Sequence, residues 1–296
     1  MGNNTQYDIL IFGNYTKDTI VSKKGTSFVD GGGFNYGAHA AANSGKKVAA
    51  ITRLAKEDVR VIEKLKSIGV DAYPTFTICS THMRLEYQTD NPDERILSCT
   101  ETAGTYTIDQ FEGIDTKAIL INTSVREEVP LELVRELRKK DSILVADSQG
   151  FIRTIADDRT LVHSEWPEKK EVLALIDVLK ADIVEAESLT GEGDLHKAAK
   201  LLNEMGPKEI VLTHRNGILV YADGKYYEQE FKPKELKGRS GRGDTCIASY
   251  MAKRLTASPE EAIIWSAALT SLKLETEGPF NLGIPEIEEM IKQKYS

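Results

Sequence analysis

Short apolar runs alternate with amphipathic stretches along most of this 296-residue chain, and that alternation is the strongest restriction on its fold. Residues 7–13 (YDILIFG), 48–54, 117–122, 142–147, 181–184 and 209–213 read as buried strands. Helical patterns lie between several of them, at 36–44 (rich in Ala), 59–68, 131–139, 168–179 and 195–205. Such alternation predicts an α/β fold: a three-layer αβα sandwich around a mostly parallel central sheet. In sheets of this kind ligands sit outside the C-terminal ends of the strands.

Two stretches break the rhythm. Residues 19–28 and 73–100 lack helical periodicity, and RLEY and RIL within the second mix polar and apolar residues as half-exposed strands do. They predict a small β-layer, with lid segments at about 15–30 and 73–100, on a single domain spanning 1–296. A surface hairpin without a role is the plain alternative, and pairing of two lids into a homodimer is a further expectation. Asp223-Gly224 between 217–221 and 225–231 marks a hairpin.

Charge narrows the partners. Lys and Arg number 38 against 46 Asp and Glu, a net charge of -8, with no basic stripe; nucleic acid is therefore not expected. No stretch approaches membrane-spanning length. Cys79, Cys99 and Cys246 are odd in number and far apart, which suits a reducing compartment. With no basic stretch leading a long apolar run at residues 1–13, a cytoplasmic location is the expectation.

The stretch GRSGRGDTC, residues 238–246, carries the chemistry. Gly241 and Gly243 permit a tight turn and close approach of the backbone. If a helix starts at Asp244, its unpaired N–H groups and dipole form an anion site, and the carboxylate beside it can take a proton. A hydroxyl attacking a phosphoryl group needs that pairing. Asp at a helix start is also a common N-cap, worth about 0.5–2 kcal/mol without any chemistry. Arg242-Gly243-Asp244 as an adhesion tripeptide is disfavoured by the helix pattern that follows.

GRSGRGDTC resembles the second signature of the ribokinase-like (PfkB) carbohydrate kinases, a GAGD-type turn at a helix start. Four further stretches resemble that family in its own order: IFGNYTKD at 11–18, DGGGFNYGAHAAANSG at 30–45, IVEAESLTG at 183–191 and IVLTHRNG at 210–217. Together they cover nearly the whole chain.

The resemblance implies a set of roles. Asp244 is the catalytic base, and the backbone N–H groups of Gly241, Arg242 and Gly243 form an anion hole. Asp18, Gly31, Gly32 and Asn35 meet the substrate, a small polyol or sugar. Thr213 and Gly217 lie at the nucleotide, ATP, with adenine near the helix expected at 262–274. Glu185 positions Mg2+ through water, with Asp182 in the place of its usual Asn. Asp147, Gln149 and Arg153 follow a strand on the ligand side and are substrate or phosphate contacts, a loop-capping Asp147 being as good a reading.

The chain departs from the family pattern at Tyr36, at Gly238 and Arg239, at Asp182 and at Arg242. These changes point away from ribose, fructose phosphates and adenosine. The GRGDTC form, VADSQGFIR at 145–153 and TEGPF at 276–280 resemble the branch that includes myo-inositol kinases. An ATP-dependent, magnesium-requiring cyclitol kinase is the leading expectation. A kinase for another sugar or a nucleoside, or a non-catalytic sensor on the same fold, is the alternative. No GxxxxGK[ST] or GxGxxG is present, and the five histidines show no metal-ligand spacing.

Overall fold

A computed structural model describes residues 6–23, 25–89 and 95–295. The chain runs β1 (Gln6–Phe12), β2 (Thr16–Ser22), β3 (Gly25–Gly31), α1 (Gly33–Asn43), β4 (Val48–Ala55), α2 (Arg60–Ser67), β5 (Asp71–Thr77), β6 (Thr81–Glu86) and β7 (Ile96–Glu101). It continues through β8 (Asp115–Ile121), α3 (Leu131–Arg138), β9 (Ile143–Asp147), α4 (Gln149–Ile152), β10 (Arg153–Ile155), β11 (Leu161–His163), α5 (Lys169–Leu175), β12 (Val178–Asp182), α6 (Ile183–Thr190) and α7 (Leu195–Glu204). It closes with β13 (Glu209–His214), β14 (Gly217–Ala222), β15 (Lys225–Glu230), α8 (Arg242–Arg254), α9 (Pro259–Leu274) and α10 (Ile284–Lys294).

Nine strands form one sheet in the order β15-β14-β13-β12-β9-β8-β1-β4-β5. All pairs from β13 to β5 are parallel, and β14 and β15 add an antiparallel hairpin at one edge. Alternation along each strand sends side chains into two separate cores. Ile9, Ile11, Val211 and Val220 pack with α1, α2, α8, α9 and α10, while Leu10, Phe12, Leu212 and Leu219 pack with α3 to α7. The three-layer αβα arrangement expected from the alternation is the one observed.

β1 lies between β4 and β8, so the chain reverses its direction of progress across the sheet there. A crevice opens at such a switch point. A second sheet, β3-β2-β6-β7, stands over that end of the molecule. Its inner face carries Met83, Leu85 and Leu97, and Phe28 on its edge strand is 77% exposed.

Three boundaries differ from the sequence reading. Residues 71–77 pair with β4 in the main sheet, so the second lid segment begins at β6 rather than at 73; its residues 90–94 lie outside the described residues. The Tyr73 and Tyr7 hydroxyls, 2.6 Å apart, help hold β5 there. The helix expected at 168–179 ends at Leu175, and Val178–Asp182 is a strand buried on both faces. Periodicity alone does not separate a short buried strand from a helix segment. Ile183 and Val184, expected in that strand, open α6, because Asp182 caps it by accepting from the Glu185 N–H at 2.8 Å.

Candidate active site

A cavity of about 520 Å³ opens between the lid and the C-terminal ends of β9, β12 and β13. Asp18, Gly32, Gln149, Arg153, Asp182, Thr213, Gly241, Arg242, Gly243 and Asp244 all line it, residues drawn from six separated stretches of sequence. Asn35, Asp147, Glu185, Gly31 and Gly217 are not in the lining.

The turn before α8 is built by its glycines. Gly241 has φ 74° and caps the helix without a side-chain hydrogen bond. A Cβ there would also sit 2.1 Å from the Tyr36 ring. α8 starts at Arg242, so Asp244 stands in the first turn rather than at its start, and its carboxylate is not the N-cap. The capping reading of Asp244 thus falls. The Arg242 N–H is taken by the Arg239 carbonyl at 3.2 Å. Of the N–H groups expected to form an anion hole, that of Arg242 is thus engaged; Gly241 precedes the helix, and Gly243 and Asp244 lie in its first turn, where an α-helix leaves N–H groups without internal partners.

Asp244 Oδ1 accepts from Gln149 Nε2 at 3.4 Å. Burial raises the Asp244 pKa above the usual carboxylate range, with Lys180 and Arg153 pulling it back. Asp18 enters from β2 on the opposite side. Burial pushes it up to about 7, Thr16 opposing by a hydrogen bond and the charge of Asp244 adding to the rise. Asp18 Oδ1 and the Tyr36 hydroxyl are buried without a hydrogen-bond partner among the described residues. Such groups cost about 1–3 kcal/mol each when left unsatisfied, and both residues line the cavity.

Gly31 and Gly32 act indirectly. A Cβ on Gly31 would lie 2.3 Å from Asp18 Oδ2, and one on Gly32, at φ 94°, would lie 2.6 Å from the Asn14 carbonyl. Asn35 donates to the Asp30 carbonyl at 3.1 Å and so ties α1 to the end of β3. Gly217 is explained by the hairpin, since a Cβ would meet the Gln229 carbonyl at 2.3 Å. No residue of α9 lines the cavity, so the adenine position expected beside that helix is not part of it.

Lys180, in the middle of β12, is the main participant missed in the sequence. Its Nζ lies 3.0 Å from Asp147 Oδ2 and 3.6 Å from Glu185 Oε2, and it would be 3.0 Å from a Cβ on Gly243. Burial alone would lower its pKa, but Asp147 and Glu185 outweigh that and hold it charged. Burial pushes Asp147 up to about 7 despite Lys180. Glu185 is likewise desolvated, yet Lys180 and Arg153 bring it down to about 2. One lysine is thus shared by a carboxylate at the end of β9 and one in the first turn of α6, directly behind Gly243.

Glu185 also accepts from the Asp182 N–H at 2.8 Å, the Ser148 hydroxyl at 3.0 Å and Arg153 at 3.2 Å. Its oxygens are therefore committed to the protein. Among the described residues no group of three or more His, Cys, Asp or Glu side chains is arranged to hold a metal ion. The donor set does not fit a magnesium ion held directly by the protein. Nor is any helix among those residues long and apolar enough to cross a membrane.

Solved structures resemble the whole chain. A pyrophosphate-dependent kinase of the ribokinase family, complexed with a pyrophosphate analog and myo-inositol, is 32% identical with a TM-score of 0.87, over 95% of this chain and 99% of that one. A pyrophosphate-dependent myo-inositol-1 kinase converted into a myo-inositol-3 kinase by two substitutions to leucine is also 32% identical, TM-score 0.87, over 97% of this chain and 100% of that one. The cytidine kinase of Thermococcus kodakarensis (strain ATCC BAA-918 / JCM 12380 / KOD1) is 28% identical over 276 residues, 87% of this chain and 92% of that protein. The family model for pfkB carbohydrate kinases matches residues 8–286, and the chain belongs to that family of phosphotransferases.

Proposed function

We propose that this protein transfers a phosphoryl group from pyrophosphate to a hydroxyl of a cyclitol, with myo-inositol as the lead acceptor. The observation that carries the reading is the facing pair Asp18 and Asp244 in one cavity, with the turn at Gly241–Gly243 beside them.

The acceptor end has two characters. Asp18, Tyr36 and Gln149 offer polar atoms, while Met83, Leu85 and Leu97 form an apolar wall on the lid. A cyclohexane ring with most hydroxyls around its rim presents C–H faces to such a wall and its rim to the polar side. Asp18 Oδ1 accepts from a rim hydroxyl, and the Tyr36 hydroxyl supplies a second hydrogen bond.

The donor end supports pyrophosphate over ATP. His214, Arg215, Arg239 and Arg242 line it, and the cavity contains nothing from α9 against which a base would stack. The solved relatives at 32% identity named above are pyrophosphate-dependent. ATP, implied by the family resemblance, is the second reading; a plant ribokinase with ribose and ATP, 18% identical, shares the fold. Magnesium would accompany the donor's phosphates and neutralise part of their charge, with Asp182 in the cavity lining meeting it through water.

The chemistry then follows from the side chains. Asp244, held by Gln149, takes the proton of the attacking hydroxyl as its oxygen bonds to phosphorus. The bond to the leaving phosphate breaks, and orthophosphate departs. Negative charge on the transferring group meets the N–H groups of Gly241, Gly243 and Asp244 and the Lys180 ammonium behind them. The lid excludes water, a competing nucleophile.

The test is a donor and acceptor panel: pyrophosphate and ATP, each with myo-inositol, ribose, fructose 6-phosphate and cytidine. Myo-inositol phosphate formed from pyrophosphate is the expected result. Turnover restricted to ATP overturns the donor, turnover restricted to another acceptor overturns the cyclitol, and none at all favours a sensor.

A further inference from the structure

We infer that Lys273 is a positioning residue whose ammonium serves as a built-in cation, fixing the anion-binding turn by holding the carbonyls of Gly238 and Ser240. The inference rests on the kinase reading of that turn.

Lys273 lies in the last turn of α9, wholly buried, with Leu272 and Leu274 beside it. Its Nζ donates to the Gly238 carbonyl at 2.8 Å and to the Ser240 carbonyl. The ammonium stands over the Tyr36 ring, 5.4 Å from its centroid. Among the described residues no carboxylate lies within ion-pair distance of it; burial lowers its pKa to about 8, with the charge of Asp244 opposing, and its direct contacts are two carbonyls and a ring. Taking an ammonium out of water costs several kcal/mol, and packing alone would be met by an uncharged side chain.

The two carbonyls belong to the segment that becomes the turn. In a planar trans peptide the C=O and the following N–H point in opposite directions. A cation that draws the Ser240 carbonyl toward α9 therefore aims the Gly241 N–H the other way, and Ser240 and Gly241 both line the cavity. Backbone bonds from Lys237 and Gly238 to the Leu274 carbonyl, at 2.9 and 3.1 Å, strap the same segment to the same helix end. Those bonds fix where the segment lies, and the ammonium fixes which way its peptides face.

The test uses Lys273→Ala, which leaves room for a small cation, and Lys273→Met, which fills the space without charge. Turnover of myo-inositol and pyrophosphate is measured at constant ionic strength with tetramethylammonium, ammonium, methylammonium or potassium chloride. Both variants are expected to lose about 30-fold or more in kcat, with the KM for myo-inositol changed less than about 3-fold, as for loss of oxyanion stabilisation. Ammonium or methylammonium should return about 10-fold or more to Lys273→Ala and nothing to Lys273→Met, while the unaltered protein responds to none of the salts. A folded Lys273→Met as active as the unaltered protein overturns the inference, as does a Lys273→Ala loss that no cation repairs. If the unaltered protein transfers phosphate between no donor and acceptor, the kinase reading fails. Crystals of Lys273→Ala grown in rubidium chloride then decide: anomalous density between the two carbonyls supports a cation seat, and its absence overturns it.

Discussion

Gln149 and Asp244, 95 positions apart in sequence, meet across 3.4 Å at the floor of the cavity. Gln149 opens α4 just beyond the end of β9, and Asp244 sits in the first turn of α8. The amide holds one carboxylate oxygen, and in the proposed reaction the other faces the incoming hydroxyl. Gln149→Ala should lower kcat by about 10-fold without a matching loss in binding, the scale of a misplaced base. Steady-state kinetics with both substrates varied check this.

Asp18 sets function against stability. Its folded pKa of about 7 lies above the ordinary carboxylate value, so the folded state holds a proton that the unfolded chain has lost. Stability contributed by that proton is present at low pH and disappears as pH rises toward about 7. Asp18→Asn should therefore raise the melting temperature at pH 8 and have little effect near pH 4, with calorimetry as the check. The same change should abolish most myo-inositol binding. In the unaltered protein the KM for myo-inositol should climb as pH falls below about 7, where the carboxylate becomes protonated.

Lys180 is the charge that holds Asp147 at the end of β9 and Glu185 in α6 together. Lys180→Met leaves Asp147 and Glu185 buried without it, and removing one partner of a buried pair costs about 3–5 kcal/mol. Adding Asp147→Asn should return part of that stability and none of the turnover. Denaturant melts beside rate measurements separate the two effects.

The lid wall should set which hydroxyl reacts. Leu85 and Leu97 are cross-strand partners on β6 and β7, and both line the cavity. Two substitutions to leucine change the position phosphorylated by a related kinase. Leu85→Asn with Leu97→Ser should therefore alter the ratio of inositol phosphate isomers with total turnover retained within about 10-fold. Phosphorus and proton NMR of the product, with a chiral shift reagent, read the ratio.

The parts of this molecule that were legible in its sequence are those that depend on local chemistry. Apolar runs located β1, β4, β8, β9 and β13, and paired glycines located the turn at Gly241. Lys180 and Lys273 were not legible. Each is a lone cation inside an apolar run, VLKAD and SLKLE, and its partners lie on other elements. A charged residue in a run otherwise fit for burial was the available signal, since lysine is almost never fully buried unless something holds it. Tyr36 was noted only as a departure from a pattern, although it packs against Gly241 and lines the cavity. Gly217, expected at the nucleotide, lies outside the cavity lining, and the neighbouring strand that leaves no room for a side chain there is not displayed in the sequence.

The most direct measurement compares Asp244→Asn with the unaltered protein for transfer from pyrophosphate to myo-inositol, with affinities for both determined by calorimetry. Loss of about 1000-fold or more in kcat with both affinities kept within about 5-fold is the predicted result, as for removal of a catalytic base. A variant that keeps a tenth or more of the rate, or loses binding as steeply as turnover, would contradict the account.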